Sequence, residues 1–263
     1  MLPGFLSNQN GRRADAIGKR LASSDYDVIV FQEAFCSLAR NKIRRLLETE
    51  FPYHVGPANQ KLFSLKTNSG LWLFSKYPIV AYQSIIFKSR CGTDALSRKG
   101  ALLVELDVNG RTLQIAGTHL QNSGETWLRH AQCVEFYERL LKPNRKEGVP
   151  QILCGDFNID KNACPESYRF MLTALHASDG ELDSENKFTY DRQNNDLHVE
   201  KGTGMDLIDY ILVRENGAWV NCFNRQVKII KKPWSLGHED LSDHYSLEAE
   251  IYYTDLPQVI SSR

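Results

Sequence analysis

Five stretches of the sequence place an acidic, amide or imidazole side chain beside or within a short apolar run. They are Gln32-Glu33, Thr118-His119, Gly155-Asp156-Phe157-Asn158, Asp209 and Ser242-Asp243-His244. Short apolar runs are typical of buried strands. Ligands in α/β proteins commonly bind at the carboxyl ends of strands. We therefore expect these side chains to meet at one edge of a sheet.

This set of side chains suits metal-assisted hydrolysis of a phosphoester. The sequence contains neither a Gly-x-Ser-x-Gly nucleophile motif nor a Walker loop. Mg²⁺ requires only one or two protein carboxylates and keeps several waters, and it stabilises the charge that develops on a phosphoryl oxygen. A histidine backed by a carboxylate can remove a proton from water. Each stretch by itself is ambiguous, because Gly155-Asp156 is also an ordinary turn sequence and Glu33 could simply begin a loop.

The elements that must position these residues alternate along the chain. Helices are predicted at 11–21, 37–50, 125–141 and 167–175, strands at 27–31, 70–74, 79–87, 101–107, 113–117, 151–154, 206–213, 219–230 and 244–253, and loops at 88–99, 176–204 and 231–241. Gly155 is expected to turn the chain sharply after its strand. This alternation with several hairpins predicts an α/β fold, a four-layered α/β/β/α sandwich of two mixed sheets flanked by helices.

Length and composition fit a globular chain without a large net charge. Its 263 residues are 42% hydrophobic and 24% charged, and we expect one catalytic domain over 1–263. The formal net charge is zero, so no global field favours nucleic acid as a partner. No apolar stretch is long enough to span a bilayer, and no secretory signal is expected at the start of the chain as given. Neither compartment nor oligomeric state can be read from the sequence.

The order of the motifs resembles the endonuclease/exonuclease/phosphatase superfamily, and within it the bacterial-type neutral sphingomyelinases. The matching pieces, which span nearly the whole chain, are Gln32-Glu33, Ser75-Lys76-Tyr77-Pro78-Ile79, Gly92 through Gly100, Gly117-Thr118-His119-Leu120-Gln121, Gly155-Asp156-Phe157-Asn158, Asp209-Tyr210-Ile211 and Ser242-Asp243-His244. The Gly117–Gln121 and Gly92–Gly100 pieces favour the sphingomyelinase branch. The resemblance implies a DNase I-like sandwich and a hydrolase of phosphoric diesters that is secreted or peripheral to a membrane.

The resemblance also implies a role for each acidic residue and base of the set. Glu33 would bind the catalytic cation, which is Mg²⁺, with Mn²⁺ or Co²⁺ as alternatives. His244 would be the general base, oriented by Asp209. Asp243 would lie close to the metal-bound phosphate.

Further residues would contact the substrate and the attacking water. Asp156 and Asn158 would hold the water and the phosphoryl oxygens, and His119 would donate to the phosphate in the transition state. Asp94 and Lys99 match an Asp–Lys pair that, in animal relatives, switches between self-pairing and binding substrate. A surface ion pair that contributes little is the alternative interpretation of those two residues.

The chain departs from the family pattern at three places. Relatives have a strand ahead of the equivalent of Met1 that ends in a metal-contacting asparagine, so we expect this strand to be missing and metal affinity to be weakened. Thr67-Asn68-Ser69 replaces an acidic pair, so an accessory metal site is not expected. Lys231-Lys232-Pro233-Trp234 stands where secreted relatives have a membrane-contacting hairpin with adjacent aromatics. Two lysines and one tryptophan can still favour an anionic lipid surface, although a solvated loop is the alternative.

The leading hypothesis is a phosphodiesterase that cleaves sphingomyelin, or a related phospholipid, to ceramide and phosphocholine. Tyr190, Trp234 and Tyr245 are candidates for the aromatic surface that a choline headgroup requires. A nuclease, a phosphoinositide or small-molecule phosphatase, and a non-catalytic binding module are the alternatives. His198 and His238, which lie outside the motifs, are expected to be structural or exposed.

Overall fold

The computed structural model describes residues 8–60, 67–92, 97–122, 124–183, 185–198, 202–214 and 220–253. The helices are α1 (Asn8–Ala22), α2 (Ser37–Leu47), α3 (Thr126–Phe136) and α4 (Pro165–Leu175). The strands are β1 (Val28–Phe31), β2 (Tyr53–Val55), β3 (Trp72–Ser75), β4 (Ile79–Ile86), β5 (Gly100–Val108), β6 (Arg111–His119), β7 (Gln151–Asp156), β8 (Ser178–Asp179), β9 (Glu181–Leu182), β10 (Tyr190–Asp191), β11 (Met205–Asp206), β12 (Asp209–Arg214), β13 (Val220–Lys228), β14 (Lys231–Ser235), β15 (His238–Asp240) and β16 (Ser246–Tyr253).

The largest sheet has six strands in the order β4-β5-β6-β7-β12-β8. Its only parallel pair is β6 with β7, so the sheet is mixed, as predicted. The Asn109-Gly110 turn joins β5 to β6 with both residues at positive φ, the backbone conformation that this turn sequence favours. The second sheet layer is made of two three-stranded parts, β1-β3-β2 and β16-β13-β9.

Three apolar clusters separate four layers. One cluster packs α3 and α4 against the six-stranded sheet and includes Leu103, Phe136 and Met171. A second fills the space between the two sheet layers. A third packs α1 and α2 on the outer face of β1 and β3, with Leu47 and Phe74 fully buried. Alternate residues of β3 face opposite layers, as the period of a strand requires. The α/β/β/α order is therefore the predicted one.

Two loop predictions were partly wrong. The segment 231–241 forms a hairpin, β14 with β15, instead of a loop, because Leu236-Gly237 supplies a tight turn with Gly237 at positive φ. The segment 176–204 contains the short strands β8, β9 and β10, which pair with distant strands that local sequence does not reveal. The helix predicted through Leu141 is α3 followed by one π-helical stretch, Tyr137–Leu141. The turn predicted at Asn216-Gly217 lies outside the described residues.

None of the helices in the described ranges combines the length and the apolar character that a bilayer crossing requires.

Candidate active site

Strand register brings three of the predicted site residues into one row across the six-stranded sheet. His119 at the end of β6 is paired with Asp156 at the end of β7. On its other side Asp156 is paired with Asp209, the first residue of β12. Because neighbouring strands lie about 5 Å apart, residues paired in this way are close without any contribution from loops. These three residues share one edge as expected, whereas Glu33 follows β1 of the other sheet layer and His244 precedes β16.

The structural role of Gly155 differs from the predicted one. β7 does not turn at Gly155 but continues to Asp156. The glycine has a φ of +142°, and a Cβ built there would lie 2.0 Å from the carbonyl oxygen of Thr118. The absence of a side chain therefore allows the close parallel approach of β6 and β7 immediately before His119 and Asp156.

His244 and Asp209 form a hydrogen-bonded pair at the edge of the row. The Nδ1 of His244 lies 2.8 Å from the Oδ2 of Asp209. Burial opposes a charge on this imidazole, but the carboxylates of Asp209, Asp156 and Asp243 outweigh it and raise the pKa of His244 to about 10. Nδ1 therefore donates to Asp209, and Nε2 on the other side of the ring is left for a water or substrate oxygen.

Asp156 carries the most perturbed carboxyl of the site. Its burial, together with the negative charge of Asp209, raises the pKa of Asp156 to about 7. The amide of Asn158 donates to Asp156 Oδ1 at 2.8 Å, and Asn158 itself has a φ of +51°. This turn directs the side-chain nitrogen of Asn158, Nδ2, to the carbonyl oxygen of Leu120, at 3.3 Å. A cation bound here would stabilise the ionised form of Asp156 beside the negative charge of Asp209.

His119 is buried and lies between Lys99 and Asp156. Its Nε2 is 3.0 Å from the Nζ of Lys99 and 3.4 Å from Asp156 Oδ2. Burial, with the positive charges of Lys99 and His244, lowers the pKa of His119 well below its usual value. The described residues offer no hydrogen-bond partner to its buried Nδ1. Lys99 is only 4% exposed and donates to the Leu120 carbonyl, so the alternative interpretation as a surface ion pair is wrong for this lysine. Asp94 lies outside the described residues.

Glu33 follows β1 in an unusual backbone conformation. Its φ is +52°, a region that non-glycine residues rarely adopt and that often marks functional sites. Gly70 makes room for this turn, because a Cβ there would lie 2.8 Å from the Cα of Glu33. Glu33 is exposed, yet desolvation by neighbouring protein and the charge of Asp243 raise its pKa, with Lys99 and His244 acting in the opposite direction. Glu33 is therefore close enough to Asp243, Lys99 and His244 for their charges to act on it.

One group of possible metal ligands stands out in the described part of the chain. Ligand atoms of Asp156, Asp209 and His244 lie within 4.8 Å of one another, and Glu33 is not in this group. The His244–Asp209 hydrogen bond uses Nδ1 and Oδ2, which leaves Nε2 of His244 and the other carboxylate oxygens of Asp156 and Asp209 as possible ligand atoms. An oxygen-rich donor set beside an unfavourable pair of carboxylates fits a hard cation such as Mg²⁺ better than a soft one.

Sequence reasoning missed the residues that hold this constellation in place. Thr189 is fully buried, and its Oγ1 accepts from the amides of Ile208 and Asp209 at 3.3 and 3.2 Å. Tyr190 forms a backbone bridge with His244 and packs its ring against that histidine, with 4.9 Å between centroids. The only signal in the sequence was the short Phe188-Thr189-Tyr190 run within a long polar stretch.

Known proteins similar to this chain are found by sequence and by structure. Phospholipase C of Staphylococcus aureus is 27% identical over 266 residues, which cover 90% of this chain and 80% of that protein. Sphingomyelinase C of Bacillus cereus is 26% identical over 273 residues, which cover 91% of this chain and 82% of that protein.

The structure of a beta toxin variant from Staphylococcus aureus with bound magnesium ions superposes with a TM-score of 0.82. The two chains are 26% identical, and the match covers 94% of this chain and 93% of the other. The family model described as the Endonuclease/Exonuclease/phosphatase family matches residues 5–244. This chain therefore belongs to the Endonuclease/Exonuclease/phosphatase family.

Proposed function

We propose that this protein is a Mg²⁺-dependent phosphodiesterase that hydrolyses sphingomyelin, or a closely related choline phospholipid, to a neutral lipid and phosphocholine. The observation that carries the proposal is the His119–Asp156–Asp209 row with His244 hydrogen-bonded to Asp209. The names of the relatives, sphingomyelinase C and phospholipase C, support the lipid substrate. The zero net charge of the chain gives no support to nucleic acid as substrate.

In the proposed reaction His244 Nε2 accepts a proton from the attacking water while Asp209 keeps the ring in the required tautomer. Without a metal the neighbouring carboxylates hold the pKa of His244 at about 10. A cation bound beside Asp156 and Asp209 would offset their charge and lower this pKa, so that Nε2 could act as the base. A carboxylate partner stabilises the imidazolium that forms, because opposite charges 2.8 Å apart favour the protonated state. Asp156 and Asn158 orient the water and the phosphoryl oxygens. Asp243 lies beside the base on the same turn.

Neutral His119 and cationic Lys99, which are both buried in the site, are proposed to stabilise the negative charge that develops on the phosphate. The contact between Lys99 Nζ and His119 Nε2 gives the imidazole a fixed donor neighbour. Glu33, with the oxygens of Asp156 and Asp209, is proposed to hold the Mg²⁺. When bound, Mg²⁺ supplies charge stabilisation at a phosphoryl oxygen.

The β14–β15 hairpin is the proposed membrane contact. Leu236 at its tip is 99% exposed, and Lys231 and Lys232 are exposed on the first strand. An exposed apolar side chain beside lysines is the composition that an anionic lipid surface favours. Tyr190 and Trp234 are the remaining candidates for contact with the choline headgroup, since Tyr245 is only 5% exposed and the prediction that it offers a surface is wrong.

A substrate panel tests the proposal. Purified protein is given sphingomyelin, phosphatidylcholine, lysophosphatidylcholine, double-stranded DNA and a phosphoinositide, each with Mg²⁺ or EDTA. We expect release of phosphocholine from sphingomyelin vesicles in Mg²⁺ only. Turnover confined to DNA or to the phosphoinositide would instead assign a nuclease or a phosphatase on this scaffold.

His244→Ala is the matched inactive variant for that panel. We expect turnover to fall at least about 10²-fold, because general-base catalysis contributes 10²–10⁴-fold. The urea unfolding midpoint near neutral pH should also fall, because Asp209 loses its hydrogen-bonded partner, while a single cooperative unfolding transition shows that the fold is kept. His176→Ala, at the end of α4, is the control histidine variant. Activity retained in His244→Ala would show that another group accepts the proton.

A further inference from the structure

The turn that carries His244 is held by the side chains of a segment that contains none of the recognised motifs. We refer to residues 189–198 as the strap. Asn195 Nδ2 in the strap donates to the carbonyl of Ser242 at 2.8 Å. His198 Nε2 donates to the carbonyl of Asp243 at 3.1 Å. Both peptide carbonyls immediately before His244 are therefore fixed by strap side chains.

The strap is itself a rigid support. Asn195 is 0% exposed, and its Oδ1 accepts from the amide of Leu197 at 3.0 Å. Asp191 closes the turn before it by accepting from the amides of Gln193 and Asn194 at 2.9 and 3.0 Å. A buried side chain with both ends bonded has one orientation, so it can position its partner.

Ring contacts connect the same segment to the base. The ring of His198 meets the ring of Tyr190 at 4.6 Å between centroids, in an edge-to-face arrangement. The ring of Tyr190 also packs against the imidazole of His244, with 4.9 Å between centroids. His198 therefore supports His244 twice, by the hydrogen bond to its turn and through the ring of Tyr190.

The far side of the strap is joined to the exposed hairpin. Asp196 Oδ1 lies 3.0 Å from His238 Nδ1, and its Oδ2 accepts from the amides of Glu239 and Asp240 at 2.7 and 2.9 Å. His238 stacks on Trp234 with 5.2 Å between centroids. The strap thus lies between the β14–β15 hairpin and the turn of His244.

We propose that Asn195 and His198 are positioning residues for the general base, and that the hydrogen bond from His198 to the Asp243 carbonyl is required for full catalytic rate. The inference rests on the proposed function only in assigning the base to His244. Because a displacement of about 1 Å can cost about 10²-fold in rate, loss of this bond is expected to lower kcat far more than it changes KM.

Two substitutions at His198 distinguish the contribution of its hydrogen bond to the Asp243 carbonyl from that of its ring contact with Tyr190. His198→Phe keeps an aromatic ring beside Tyr190 and removes the donor, whereas His198→Gln keeps an amide donor and removes the ring. We expect kcat for sphingomyelin to fall about 10- to 100-fold in His198→Phe and no more than about threefold in His198→Gln, with KM within about twofold in both. His130→Ala, which removes a histidine stacked on Phe170, is the matched control away from His244.

A second readout does not depend on turnover. The Nδ1 proton of His244, hydrogen-bonded to Asp209, should give a downfield proton resonance that is identified by its loss in His244→Ala. We expect this signal to shift or broaden in His198→Phe and to persist in His198→Gln and His130→Ala. An unchanged signal in His198→Phe, or equal effects in the Phe and Gln variants, overturns the inference. An inactive parent protein with the expected spectral change would contradict the proposed function alone.

Discussion

Glu33 combines an exposed carboxylate with a backbone that is costly for its residue type. A non-glycine residue at positive φ costs of the order of 1 kcal/mol or more, and Glu33 keeps this conformation at the end of a β1 strand that packs into the core. Its raised pKa reflects desolvation and the nearby charge of Asp243. A carboxylate in these surroundings is destabilised without a cation, which is consistent with the proposed metal-binding role.

Glu33→Gln tests that role. We expect the Mg²⁺ concentration for half-maximal activity to rise at least about tenfold, while KM for lipid changes less. Substitution of residues that only orient metal ligands already lowers metal affinity by about this factor. Titration of activity with Mg²⁺ at saturating lipid measures the half-maximal concentration. Glu50→Gln, an exposed glutamate after α2, is the control. An unchanged metal requirement in Glu33→Gln would exclude it as a ligand.

Glu33→Gly distinguishes the backbone strain at this position from the proposed role of the Glu33 side chain in metal binding. Glycine adopts positive φ without steric cost, so we expect the free energy of unfolding to be unchanged or to rise by up to about 1 kcal/mol. The Mg²⁺ requirement should nonetheless increase as in Glu33→Gln. Urea denaturation without metal gives the first quantity. Marked destabilisation would mean that the Glu33 side chain supports the fold.

At the scale of elements, the site is produced by strand pairing. β6 and β7 are parallel while β7 and β12 are antiparallel, and the two registers place His119, Asp156 and Asp209 side by side. The parallel approach depends on Gly155, which has no side chain to meet Thr118. A substitution that disturbs the pairing of β6 and β7 should therefore lower both stability and catalytic activity.

Gly155→Ala tests this dependence. The added Cβ would lie 2.0 Å from a backbone oxygen, so we expect a loss of about 3 kcal/mol or more in the free energy of unfolding, in the range of severe core substitutions, together with loss of turnover. Gly110→Ala is the matched control, since Gly110 also has positive φ but meets nothing within 4 Å. It should cost only about 1–2 kcal/mol and leave kcat unchanged. Equal costs would contradict the close-approach argument.

At the scale of the whole molecule, the charges of the site couple stability to pH. The folded-state pKa of His244, about 10, lies above its ordinary value of 6.5. The folded protein therefore binds more protons than the unfolded chain between these values, and the His244 contribution to stability is lost as pH rises through this window. Asp156, raised from 3.8 to about 7, acts in the same direction at lower pH.

We accordingly expect the metal-free protein to lose stability between pH 7 and 10. The slope due to His244 cannot exceed about 1.4 kcal/mol per pH unit, the limit for one proton. His244→Gln should flatten this slope. Mg²⁺ should raise Tm by mass action, and more strongly at higher pH, where protons compete less for Asp156. A Tm independent of Mg²⁺ at every pH would argue against the proposed metal site.

Different parts of the fold were predictable from the sequence to different degrees. The apolar runs identified β1, which precedes Glu33, and the strands β6 and β7, which end in His119 and Asp156, because burial on both faces leaves a continuous apolar stretch. The β14–β15 hairpin was not predicted, since Lys231, Pro233 and Trp234 do not alternate in hydrophobicity. The predictions of a missing first strand and of a role for Asp94 stay predictions.

The amino-acid sequence by itself determined which residue types end which strands and in what order, and this order was enough to identify the family. Only the tertiary structure decided that His119, Asp156 and Asp209 form one row, that Lys99 is buried against His119, and that the strap supports the turn of His244. The physical reason is distance along the chain. Side-chain periodicity is a local property, whereas strand register and long-range hydrogen bonds depend on how all the layers pack.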